Sequence, residues 1–168
     1  AACGDDDDGP DIASPDQLEL RIVSGDGQRA PVADVGGSVL AAFAPIQAMP
    51  DNILPEPLVA RITVDGQAPS ASVAPSGPFG PSLAVLPQNV AVTFRVVQPE
   101  GVGSRHCGAS FIDAAIPDDS GYVVTYWERG TYAGTCRTEV RLVVDGVPRV
   151  DTVFTATFEP GPVARANW

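Results

Sequence analysis

Residues 120–144 read SGYVVTYWERGTYAGTCRTEVRLVV, and the alternation within this stretch decides the fold. In its second half Cys136, Thr138, Val140, Leu142 and Val144 fall on one face while Arg137, Glu139 and Arg141 fall on the other, the period of two of a half-buried strand. The sulfur of Cys136 is therefore expected to point inward. In the first half Tyr122, Val124 and Tyr126 oppose Val123, Thr125 and Trp127. Both sets are bulky, so a central strand covered on both faces is expected, joined to the second half as a β-hairpin across a turn that holds Gly130 and Gly134.

The same period recurs on either side. Leu18, Leu20 and Ile22 alternate with Glu19 and Arg21, and Leu58, Ala60, Ile62 and Val64 alternate with Arg61 and Thr63. Val90, Val92, Phe94 and Val96 form a third inward set, and residues 110–113 read as a short strand. Downstream, Asp145-Gly146 is the strongest two-residue hairpin signal in the chain, and it leads to the alternating face Thr152, Phe154, Ala156 and Phe158. Turns are expected at residues 24–28 and 117–121, and Pro31 opens a short edge continuation over 31–33. With 17 Gly, 17 Pro and only 18% charged residues in 168, long helices are disfavoured. About seven or eight short strands at this turn spacing describe an all-β protein, a β-sandwich with two long loop insertions at 36–53 and 67–86.

The expected organisation is an acidic N-terminal tether over 1–16, the sandwich over 17–164 and a short tail over 165–168. Inside the first insertion residues 39–44 have the composition of a single helical turn, too short to stand without tertiary support. Long loops in a compact domain usually have a use. Phe43, Ile46, Phe79 and Leu83 are the apolar residues in them that either fold back on the sandwich or meet a partner.

The three cysteines divide two and one. Cys107 precedes the short strand at 110–113 and Cys136 points inward, so the two are paired as a disulfide closing a loop of about 30 residues, worth about 3 to 4 kcal/mol and implying an oxidising compartment. The alternative is a pair of buried free thiols. Cys3 lies in Ala-Ala-Cys-Gly, which resembles the end of a bacterial lipobox, in which the Cys becomes the acylated first residue of a lipoprotein. Asp5, Asp6, Asp7 and Asp8 would then keep a membrane tether solvated and candidate for partner contact. The other reading is a secreted chain with a leftover thiol.

Chemistry is thinly represented. His106 is the only His, and a Cys-His dyad would require Cys107 to be free. Asp118-Asp119 has turn chemistry and no calcium-loop spacing. No Gly-rich phosphate loop opens a helix, so no cofactor is expected. A formal charge of −11, with ten basic residues that are all Arg, excludes an extended nucleic-acid face. No run reaches the roughly 18 apolar residues of a membrane span. Tyr122, Tyr126, Trp127 and Tyr132 form either a carbohydrate platform or, for the first three, sandwich core.

Several patches, taken in order, resemble a known family. Residues 23–28 (VSGDGQ), 54–62 (LPEPLVARI), 90–94 (VAVTF), 130–135 (GTYAGT) and 153–157 (VFTAT) recur in bacterial immunoglobulin-like domains of the intimin and invasin type. Trp127 with Gly130 and Gly134 resembles the family's Trp-x-Leu-Gly-x-x-x-Gly stretch, with Glu128-Arg129 replacing the usual pair. The resemblance implies an immunoglobulin-like sandwich in an extracytoplasmic place. The insertions and the Cys107 and Cys136 pair depart from the pattern and argue against a plain spacer, and the chain carries no internal repeat. The resulting expectation is a non-catalytic bacterial cell-envelope protein acting by protein contact. It is either an accessory subunit docked on a larger membrane complex, respiratory or photosynthetic, or a surface adhesion or ligand-binding module of the intimin and invasin type.

Overall fold

The computed structural model describes residues 12–33, 52–69, 86–87, 89–101 and 106–161. The helical turn expected at 39–44 lies outside them. A single 3-10 turn, Pro15–Gln17, opens the described chain, with the Ser14 amide donating to Gln17 Oε1. Ten strands follow: β1 Leu18–Ser24, β2 Gln28–Pro31, β3 Leu58–Val64, β4 Val90–Val97, β5 Ala109–Ser110, β6 Ala114–Ala115, β7 Tyr122–Thr125, β8 Trp127–Glu128, β9 Gly134–Val144 and β10 Val147–Glu159.

They form a sandwich. One sheet has the order β1-β3-β7, the other the order β2-β10-β9-β4-β6, and β5 with β8 makes a small ladder of its own. The long strands divide as they do in an immunoglobulin-like sandwich, β1, β3 and β7 on one sheet facing β4, β9 and β10 on the other. β2 pairs parallel with β10, from Ala156↔Gln28 to Glu159↔Pro31. Its strand character begins at Gln28, which the sequence placed in a turn. The side chain of Gln28 is buried because it donates to the carbonyls of Gly25 and Glu56 and accepts from the Glu56 amide, tying β2 to the approach to β3.

The core follows the inward sets. Leu58, Ala60 and Ile62 from β3, Val92 and Phe94 from β4, Val140, Leu142 and Val144 from β9, and Phe154, Ala156 and Phe158 from β10 are all buried. β9 and β10 form the expected hairpin through Asp145-Gly146, with Asp145 at φ 51° and Gly146 at φ 77°, the left-handed pair a two-residue turn requires. Cross-strand pairs run eleven deep between them, from Val147↔Val144 to Phe158↔Gly134.

Residues 120–144 are not a hairpin. β7 pairs with β3 and β9 pairs with β4 and β10, so the segment between them carries the chain from one sheet to the other. The physical reason is burial. β9 is paired with β10 on one side and β4 on the other, so no side of it is left for β7, and its apolar face is buried against the sheet opposite, to which β7 belongs. The expectation that residues 122–127 form a central strand covered on both sides is likewise corrected, because β7 is an edge strand and Val124 and Tyr126 are each 44% exposed. Residues 110–113 also differ from expectation: β5 pairs with β8, β6 pairs with β4, and the link between them is a strap from one sheet's edge to the other's.

Candidate functional site

Three features of the described residues bear on function: a disulfide clasp, the placing of the loop attachments, and the strap beside β7.

The clasp brings together two of the residues singled out in the sequence. Cys107 and Cys136 form a disulfide across a sequence separation of 29 with Cα atoms 5.6 Å apart, and both are buried. Several bonds hold the Cys107 backbone in place. Gln98 Oε1 accepts from the Cys107 amide at 2.9 Å while its Nε2 donates to the Gly108 carbonyl at 3.2 Å. Trp127, fully buried, donates from Nε1 to the Cys107 carbonyl at 2.8 Å and meets Phe158 edge-on with ring centroids 6.0 Å apart. Gly108 sits at φ 81° where a Cβ would run into the Glu128 carbonyl, so only glycine lets β5 close on β8. A bond this enclosed is structural, since a reductant's thiolate must reach a sulfur to exchange with it.

His106 lies at the rim of the clasp. Its Nδ1 is 3.3 Å from Thr131 Oγ1 and its carbonyl accepts from the Tyr132 amide. Among the described residues no group of three or more His, Cys, Asp or Glu is placed to hold a metal ion. Asp118 Oδ1 accepts from the amides of Ser120 and Tyr122 and so makes the turn into β7, as its sequence context implied. No described helix is long and apolar enough to cross a membrane.

The loop attachments fall at opposite ends of β3. The first insertion returns to the sandwich beside β8, where Asn52 accepts from the Arg129 amide, Ile53 bridges Glu128 and the buried Leu54 donates to the Trp127 carbonyl. It departs after β2, where the Val32 amide donates to Glu159 at the end of β10. The second insertion leaves from the far end of β3, roughly 20 Å away at about 3.3 Å per residue. There the Asp65 amide donates to the Gln17 carbonyl and Gln17 Nε2 to Asp65 Oδ2, which puts the N-terminal segment at the same end. Cys3, Asp5, Asp6, Asp7, Asp8, Phe43, Ile46, Phe79 and Leu83 all lie outside the described residues.

Sequence reasoning missed the strap. It runs along the open side of β7: the Phe111 amide donates to the Tyr126 carbonyl, the Ile112 amide to Thr125 Oγ1, and the Asp118 amide to the Tyr122 carbonyl. Between those contacts it swings over to β4, where the Phe94 amide donates to the Asp113 carbonyl. Phe111, Ile112, Ile116, Val124 and Tyr126 are left facing outward, with Phe111 and Tyr126 edge-on at 6.5 Å. A signal for it existed in the sequence. Phe111-Ile112-Asp113 sets a charge against two large apolar residues, and Ile116-Pro117 cannot continue a paired strand. No family model matches the chain, and neither a curated protein nor a solved structure matches it.

Proposed function

We propose that the chain is a non-catalytic immunoglobulin-like protein of the bacterial cell envelope, related in type to the intimin and invasin domains, that acts by protein contact on the extracytoplasmic side. Acyl chains on Cys3 hold it at the membrane, the acidic residues after Cys3 keep the tether solvated, and the sandwich docks as an accessory subunit on a larger membrane complex. The observation that carries this reading is the buried Cys107–Cys136 bond, because such bonds form and persist in oxidising compartments. A second reading, a surface adhesion or ligand-binding module, draws on the exposed rings of Phe111 and Tyr126. Those rings stand at 83° to each other, which is no flat platform for a sugar and favours a protein ligand.

Intact-mass measurement of the protein extracted from its native membrane tests the reading, together with its migration after mild detergent extraction. A diacyl or triacyl addition at Cys3, a mass two hydrogens short, and copurification with a larger complex are expected. An unmodified Cys3 on a chain recovered alone overturns it.

A further inference from the structure

Nine large apolar residues are conspicuously exposed among the described residues, and five of them (Phe111, Ile112, Ile116, Val124 and Tyr126) lie within one short stretch of chain. The other four are dispersed: Ile12 before β1, Val23 at its end, and Val147 and Val153 on β10. Scattered exposed residues are ordinary, but a concentration is not. The hydrogen bonds of the strap to Tyr122, Thr125 and Tyr126 hold the chain that carries these five residues along β7, and Phe111 meets Tyr126 edge-on. Ile116, at 84% exposure, is the most protruding of them.

The charges carried by the strap and β7 themselves have one sign. Between Ala109 and Glu128 the acids are Asp113, Asp118, Asp119 and Glu128, and there is no Arg, Lys or His. Of the neighbouring cations, Arg61 lies with its guanidinium 4.6 Å above the Tyr122 ring and its Nε donating to the Ser120 carbonyl, and Arg95 is drawn toward Glu139 at 3.9 Å. From this placement we infer that the strap and the outward side of β7 form a docking surface for a polypeptide that carries large apolar side chains flanked by arginine or lysine. The inference rests on the protein-contact reading above and names where that contact is made.

Charge selects this occupant over the others. Two copies of the chain meeting face to face across a two-fold axis would set one acidic rim against the other. An anionic membrane surface would be repelled by the same rim. A basic segment has its charges met at the rim and its apolar anchors seated in the middle, the usual anatomy of a protein contact. Addition of a strand to β7 is restricted, because the chain's own strap already bonds the carbonyls of Tyr122 and Tyr126.

The test selects phage-displayed random linear peptides on the full disulfide-bonded chain, then measures the selected sequences as synthetic peptides by fluorescence anisotropy. Selected peptides are expected to combine large apolar residues with flanking Arg or Lys. Phe111→Ser and Ile116→Ser are each expected to weaken binding roughly tenfold or more. Asp113→Asn with Asp119→Asn should weaken it about threefold and flatten its salt dependence. Val153→Ser, an exposed apolar change on the other sheet, should leave binding unchanged, and matched thermal unfolding of all variants excludes loss by misfolding. The inference is overturned by selection of no peptide, by acidic peptides, or by peptides that bind the Ile116→Ser chain as tightly as the parent. Dimerisation of the parent in sedimentation that Ile116→Ser abolishes overturns it in favour of a second copy, and Ile116-dependent binding to phosphatidylcholine vesicles overturns it in favour of lipid. A chain unmodified at Cys3 and recovered alone, yet selecting basic apolar peptides through Ile116, would remove the accessory-subunit reading and leave this surface standing.

Discussion

β9 in one sheet and β7 in the other turn opposite kinds of face to the outside. On the five-stranded sheet Arg137, Glu139 and Arg141 line the outer side of β9, with Glu139 3.1 Å from Arg141 and 3.9 Å from Arg95 of β4. On the three-stranded sheet the outward positions of β7 are Tyr122 and Val124, Tyr126 follows just beyond its end, and the strap adds Phe111 and Ile112; the same sheet also carries the Arg21–Glu19 pair on β1. β9 and β10 are the longest strands, whereas β7 contributes four residues and is held mainly by β3. The long hairpin β9–β10 is thus set against a short edge strand with an apolar outer face, which is where a rigid scaffold usually leaves room for variation.

The contrast can be broken or sharpened by substitution. Phe154→Ala, in the middle of β10, is expected to cost about 3 to 5 kcal/mol in denaturant unfolding, enough to unfold much of the population of a marginal domain. Replacing both Cys107 and Cys136 by Ala should cost about 3.5 kcal/mol by the loop-closure relation, read as a lower denaturant midpoint; a loss under about 1 kcal/mol would mean that hydrogen bonds alone hold the clasp. Trp127→Phe removes the donor to the Cys107 carbonyl while keeping most of the apolar bulk, with an expected loss of about 1 to 3 kcal/mol and a selective fall in amide-exchange protection around Cys107. Thr138→Val acts the other way. The hydroxyl of Thr138 is fully buried on β9 and has no partner among the described residues, so its removal should raise stability by about 1 kcal/mol. Val124→Ser, at the exposed edge, should change stability by less than about 0.5 kcal/mol. Equal losses from Val124→Ser and Phe154→Ala would erase the difference between the sheets.

β9, like β1 and β3, was legible in the sequence and β7 was not, for a definite reason. Along β9 polar and apolar residues alternate strictly, so one face announces itself as wet, and Asp145-Gly146 announces the turn that follows. The inward direction of Cys136 followed from the same period and led to its partner. Along β7 both faces are bulky, and a periodicity argument cannot separate a strand buried on two sides from an edge strand with an exposed apolar outer face. Reading β7 as half of a hairpin failed for a related reason, since short-range pattern says nothing of which sheet a strand joins. The attachment of the two insertions to opposite ends of β3 was legible, because 36–53 and 67–86 flank that strand in the sequence.

The parallel pairing of β2 with β10 has a mechanical consequence. Traction that separates the two termini pulls β2 toward its beginning and β10 toward its finish, so their hydrogen bonds are strained together in shear instead of being peeled off one at a time. Once that junction yields, the covalent bridge between Cys107 and Cys136 keeps 29 residues from extending, which withholds roughly 100 Å of contour length at about 3.5 Å per residue. The chain is thus built to resist tugging first by geometry and then by chemistry.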